Sequence, residues 1–165
     1  MADKILLMLL DDVRRKTFNE LKGQDDVHAR WVPPGLQNSC PWHGGHAYFV
    51  TKFLTARALG RTPKMPAGWL KMFSWDSNPA HTVPESWPPL DEIREALIEQ
   101  HERLRNVISS LSAEQLDAPE PGNPARTVRY AILHGLHDEA RHSGEITLLR
   151  KTMLKTFVIG TNPYR

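Results

Sequence analysis

Four stretches of the chain carry apolar residues at the three- and four-residue spacing that lines one side of a helix. Asp3 can cap the first, which runs to about Gly23 with Ile5, Leu9, Val13 and Leu21 inward and stops at Gly23 and the Asp25–Asp26 pair. The second begins at Asn38 or Ser39 and carries Pro41 in its first turn, where a missing N–H costs nothing. It reaches about Leu59, with Trp42, His46, Phe49 and Phe53 on one side, and Gly60 ends it. The third, Leu90 to Leu111, has the stripe Ile93, Leu97, His101, Leu104, Ile108 and Leu111. Thr127 caps the fourth, which ends near Leu154 and turns Val128, Ile132 (or Ala131), Gly135, Asp138, His142, Ile146, Leu149 and Met153 inward. No stretch alternates convincingly in the manner of a strand.

The links decide the expected architecture. Trp31 to Gly35 and the proline-rich Ser112 to Asn123 are short, so each joins an antiparallel helix pair. Gly60 to Pro89 holds six of the thirteen prolines and three of the five tryptophans, with one short helix predicted around Trp69 to Phe73. A link of that length can return the chain to the end it left. The expected fold is all-α, a four-helix bundle in up-down-down-up order with a long crossover between helices two and three. One domain over 1–165 is expected, because no repeat or low-complexity tract divides the chain. The tail 155–165 carries Phe157, Val158 and Ile159, which are expected to dock or to pair with another chain.

Composition narrows the function classes. A formal charge of +2, with no basic stretch interleaved with aromatics, gives no footprint for nucleic acid. Cys40 is the single cysteine, which leaves no internal disulfide and fits a reducing compartment. The apolar run Ile5 to Leu10 is six residues long and meets Asp11 and Asp12 at once, too short for a membrane span or a secretory core. A cytoplasmic protein, with neither nucleic acid nor membrane as a partner, is the expectation.

Asp138 and His142 change the picture most. They stand one helical turn apart on a stripe where leucine would ordinarily pack. A carboxylate and an imidazole are costly to bury without a partner, and a divalent ion can be reached by both at this spacing. His46 lies about seven residues, roughly 10 Å, from the start of helix two. In the expected topology it comes to the same end of the bundle as Asp138 and His142. A lone histidine on an apolar stripe is ordinarily a satisfied core residue, so the three together, rather than any one, suggest a site. Three protein ligands with room for water is the pattern of an open metal site.

Trp42-His43-Gly44-Gly45-His46, followed by His137-Asp138-Glu139-Ala140-Arg141-His142-Ser143-Gly144-Glu145-Ile146, resembles the DinB/YfiT-like family of metal-binding bundles. The resemblance covers nearly the whole chain. In the common pattern all three ligands are histidines. Asp138 in the middle position is similar to the branch that includes the mycothiol-dependent maleylpyruvate isomerases. The resemblance implies His46, Asp138 and His142 as ligands of one divalent ion (Zn²⁺, Ni²⁺ or Fe²⁺), in a small-molecule hydrolase or a transferase using a low-molecular-weight thiol.

Other residues take supporting roles in this expectation. Glu145 or Glu139 would orient a ligand from behind, Glu139 being also the fallback carboxylate. His101 is the candidate general base or pocket wall. His43, His134 and His137 fall on flanking faces, surface or rim, with His43 at most lining the mouth. Cys40 beside a helix start is a candidate for a lowered pKa, or a plain cap residue. Trp69, Trp75 and Trp87 either roof the site or anchor the crossover. Arg126, Arg129 and Arg141 are candidates to meet an anionic substrate. The alternative class is a non-catalytic, homodimeric binding or stress-response bundle.

Overall fold

The structure, a computed structural model, describes residues 3–157. It is mostly helical, with four long helices: α1 (Lys4–Leu21), α3 (Cys40–Ala58), α5 (Leu90–Ser110) and α7 (Val128–Phe157). Short helices lie between them: α2 (Asp26–Ala29), α4 (Trp69–Phe73) and α6 (Ala113–Asp117). The caps follow the sequence. Asp3 accepts from the Leu6 amide (2.9 Å), Ser39 from that of Trp42 (3.5 Å) and Thr127 from that of Tyr130 (3.1 Å), each quenching an orphan donor of a first turn.

The long helices meet through matched residue pairs. Along α1 and α7, Asp3 meets Arg129, Arg14 meets Glu139 and Arg150 meets the Asn19 carbonyl, so the two run in the same direction. Along α3 and α5, Gly44 faces Ile93 and Thr51 meets Gln100, again in the same direction. Between α3 and α7 the order reverses: His43 meets Glu145, and Gly135 faces Thr51. A Cβ on Gly135 would stand 3.2 Å from the Thr51 Cα, so glycine here is what lets α3 and α7 approach closely.

The core has two apolar clusters. One gathers Phe49, Trp69, Phe73, Trp87, Ile93, Leu97 and Ile146; the other gathers Leu6, Leu10, Leu104, Ile108, Leu116 and Leu136. Between them along all four long helices lies a buried polar layer. Arg14 donates to the Leu97 carbonyl (2.7 Å), to Gln100 (2.7 Å) and to Glu139 (2.9 Å). Thr17 donates to Glu139 (2.9 Å), and Thr51 donates to Gln100 (3.0 Å).

That layer explains where the observed stripes depart from the expected ones. On α1 the inward residues are Leu6, Leu10, Val13, Arg14, Thr17 and Leu21, while Ile5 is 75% exposed and Leu9 is also exposed. On α5 Gln100 takes the inward position and His101 is half-buried beside it. On α7 Glu139 and Ser143 are fully inward, and Asp138 and His142 lie on the flank of the stripe. Helices α1, α5 and α7 are each turned slightly from the purely apolar solution, and the Arg14–Glu139 pair finds its partners inside.

Helix α3 is buried on every side from Cys40 to Thr51, so its stripe is not confined to Trp42, His46, Phe49 and Phe53. It is covered by α5 and α7 and, on a third side, by α4 from the crossover. In the Ser112–Asn123 link, Ser112 and Gln115 form a capping box that starts α6. A two-stranded antiparallel hairpin follows, β1 (Pro119–Glu120) and β2 (Asn123–Thr127), where no strand was expected. Gly122 turns it with a positive φ of 79°. Of the expected tail, Phe157 packs edge-on against Trp31 and His28, while Val158 and Ile159 lie outside the described residues. Among the described residues, no helix is long and apolar enough to cross a membrane.

Candidate metal centre

Helix α3 carries His46 and α7 carries Asp138 and His142, and the antiparallel approach of these two helices brings the three side chains together. One ligand atom from each lies within 4.8 Å of the others. Asp138 Oδ2 stands 3.4 Å from His46 Nε2 and 3.5 Å from His142 Nε2. It is buried and accepts no hydrogen bond.

His46 is held in one orientation. Its Nδ1 donates to the Phe73 carbonyl of α4 at 2.7 Å, which fixes a proton on Nδ1 and leaves Nε2 facing Asp138. Trp42 stacks on the ring at 4.7 Å with an interplanar angle of 17°, and its indole N–H donates to Ser77 (3.0 Å). An imidazole lone pair aimed at a carboxylate oxygen is repulsive unless a proton or a metal cation stands between them. Tetrahedral bonds of about 2.0–2.1 Å place neighbouring ligand atoms roughly 3.3–3.4 Å apart, close to the separations here. The residues present therefore fit a divalent ion. Asp138 and His142 side chains are 16% and 13% exposed, so the set opens to solvent rather than closing on itself.

Burial works against the charged form of Asp138, but the neighbouring His142 and His46 outweigh it and hold the carboxyl well below its ordinary range. Arg141, largely exposed, brings a guanidinium nitrogen to 3.8 Å from Asp138 Oδ1.

His43 is the residue that the sequence misplaced. It is buried rather than on the rim, with Nδ1 2.8 Å from His142 Nδ1 and 2.9 Å from Glu145 Oε2. Burial lowers its pKa, although Glu145 works the other way. The signal lay in the spacing, since His43 and His46 at i,i+3 face the same side as His142 and Glu145 at i,i+3. Glu145 touches His142 Nδ1 at 2.8 Å, and the His43 ring, followed by burial acting oppositely, leaves its carboxyl at about 2.

The remaining candidates stand elsewhere. His101 Nε2 meets Asp11 Oδ1 at 2.8 Å, beside the Asp11–Arg105 ion pair, and belongs to neither His cluster. Glu139 is engaged by Arg14 and Thr17, so it orients no ligand. Cys40 is buried and its thiol is pushed up to about 12, the opposite of an activated cysteine, because burial disfavours the thiolate. Arg129 is held by Asp3 and Asp117, and Arg126 lies over the Tyr130 ring, which leaves Arg141 at the site. His134 and His137 are exposed. Trp69 and Trp87 anchor the crossover around Phe73, whereas Trp75 sits edge-on to His46 at 6.2 Å with half its surface exposed.

The sequence profile of the DinB superfamily matches residues 9–146, a span that holds most of α1 and all three ligand candidates. The chain belongs to the DinB superfamily. No curated protein matches it. Among solved structures, this DinB-superfamily chain is similar to a crystal structure described as a conserved protein from Enterococcus faecalis. The two share 14% identity and a TM-score of 0.76, over 94% of this chain and 99% of that one. At that identity the likeness is one of fold, and the DinB assignment rests on the profile match.

Proposed function

We propose that this DinB-superfamily protein is a metal-dependent enzyme acting on a small molecule, with His46, Asp138 and His142 as the ligands of a divalent ion. The observation that carries this reading is Asp138 Oδ2, buried without a hydrogen-bond donor and facing two imidazole nitrogens. An ion held there would supply Lewis acidity, lowering the pKa of bound water or keeping a substrate thiol as thiolate. The two reaction classes are accordingly hydrolysis and transfer through a low-molecular-weight thiol.

The chain's own side chains do the rest. Asp138 offsets the positive charge and, with His46 and His142, leaves the outer side of the set open. The Phe73 carbonyl keeps His46 Nε2 aimed inward. Arg141 stands where the carboxylate or phosphate of a substrate would arrive. Trp75, with Phe49 at 4.9 Å and Phe53 at 5.2 Å, forms an apolar wall beside His46. The architecture in this proposal is an up-down-down-up four-helix bundle forming one domain of a cytoplasmic protein.

A second reading, a homodimer that binds without turnover, is favoured by the exposed apolar side chains Ile5, Met8 and Leu9 of α1 and Leu133 of α7. Elemental analysis of protein purified without a histidine tag, combined with a screen of thiols against electrophilic acceptors, separates the two. The expected result is a bound divalent ion whose content falls by one per chain in His46→Ala, together with turnover that falls in step. A bound ion with no turnover favours the binding protein, and no ion in the wild type overturns both the metal site and the enzyme.

A further inference from the structure

His43 Nδ1, His142 Nδ1 and Glu145 Oε2 form a triangle with sides of 2.8, 2.8 and 2.9 Å. With the Glu145 carboxylate ionised, protons alone do not satisfy it. If both rings donate to the carboxylate, two N–H groups confront each other at 2.8 Å. If one ring donates to the other, the accepting ring turns a lone pair toward the carboxylate oxygen. With that carboxylate ionised, one side of the triangle is repulsive in each of these arrangements. A cation above the triangle makes all three contacts attractive.

The dimensions are those of a particular geometry. Bonds of about 2.0–2.1 Å at right angles separate neighbouring ligand atoms by about 2.8–3.0 Å, the spacing of three ligands on one face of an octahedron. The Asp138 set is wider, at 3.4 and 3.5 Å, as tetrahedral bonding requires. Two imidazoles and one carboxylate on an octahedral face suit iron, nickel, cobalt or manganese. His142 belongs to both groups through different nitrogens, Nε2 toward Asp138 and Nδ1 toward His43 and Glu145. The two nitrogens of an imidazole point away from one another, so one ring can serve two ions.

We propose that His43, His142 and Glu145 form a second divalent-metal site, joined through the His142 ring to the His46/Asp138/His142 site. When both are filled, His142 gives its remaining ring proton to solvent and bridges the ions as an imidazolate, with Asp138 and Glu145 supplying one negative charge to each. The bridge rests on the first site holding an ion, whereas the second ligand set stands on its own geometry.

The test uses Co²⁺. Protein stripped with a chelator is dialysed against excess Co²⁺ and the bound ions are counted by elemental analysis, with far-UV circular dichroism confirming that each variant is folded. The wild type is expected to hold two ions per chain, Glu145→Gln one and Asp138→Asn one. The visible spectrum gives an independent readout, because tetrahedral Co²⁺ absorbs far more strongly than octahedral Co²⁺. Glu145→Gln should keep the strong bands and Asp138→Asn should lose them while retaining an ion. Glu145 is half-exposed, so its replacement leaves the packing intact. A wild-type count of one that persists in Glu145→Gln overturns the second site, whereas a count of one that is lost in Glu145→Gln and kept in Asp138→Asn overturns the first. A count of zero removes both.

Discussion

Asp138 and Glu145 show how a few ångströms decide a side chain's chemistry. Both are carboxylates on the same helix, and both are held below their ordinary pKa. For Asp138, burial opposes the charge and the His142 and His46 rings overcome it. For Glu145 the His43 contact is the leading influence. The pH consequence has a definite sign. Glu145 falls from 4.5 to about 2 on folding, so its contribution to stability is present above pH 4.5 and is lost as pH falls toward 2. Metal-free protein is therefore expected to lose urea resistance across that window, and Glu145→Gln to lose less of it. Midpoints measured at half-unit pH intervals check this, and equal slopes in the two proteins would contradict it. Cys40 illustrates the reverse. A cysteine beside a helix start is open in the sequence to either an activated thiol or a plain cap residue, and burial decides for a neutral thiol.

The short helix α4 is the element that ties the crossover to the candidate metal centre. Its last residue, Phe73, is fully buried, and the carbonyl of that residue holds His46. Phe73 fits only because α3 has no side chain at Gly45, where an added Cβ would stand 2.3 Å from the Phe73 ring. Gly45→Ala must displace the ring and the carbonyl with it. We expect it to destabilise the protein by about 1–3 kcal/mol and to weaken metal binding several-fold. Gly44→Ala is the control, because its Cβ would meet the Ile93 methyl of α5 at 3.1 Å, a contact relieved by a shift of a few tenths of an ångström and not made with Phe73. Thermal unfolding with and without metal distinguishes the two variants, and equal metal affinities would show that α4 does not position the ligand. The existence of α4 and its span were legible in the sequence from Trp69 to Phe73. Its docking was not, because nothing local says which face of α3 has room for a ring.

At the scale of the molecule, the Arg14–Glu139 layer joins all four long helices and goes with the turn of α1, α5 and α7. Both side chains are fully buried, with Arg14 Nε 2.9 Å from Glu139 Oε1. Removing one partner strands the other charge, so Glu139→Ala should cost about 3–5 kcal/mol. The double replacement Arg14→Met/Glu139→Leu should recover most of that loss, and chemical denaturation of the three proteins measures it. A single variant as stable as the wild type would mean that the layer is not a coupled unit. This layer also marks the boundary of what could be read in advance. Helix starts and stops were local matters of caps, glycines, prolines and apolar period, and the chain alone determined them: Asp3, Ser39 and Thr127 cap where expected, and the long helices fall within a few residues of their predicted ends. The pairing of His46 with Asp138 and His142 was approachable for the same reason, because each sits at a regular position on its own helix. The rotation of each helix, the burial of His43 and the enclosure of Cys40 were decided only in three dimensions. They depend on which polar groups find partners across helices distant in sequence, and a periodicity counts apolar positions without knowing that Arg14 will meet Glu139.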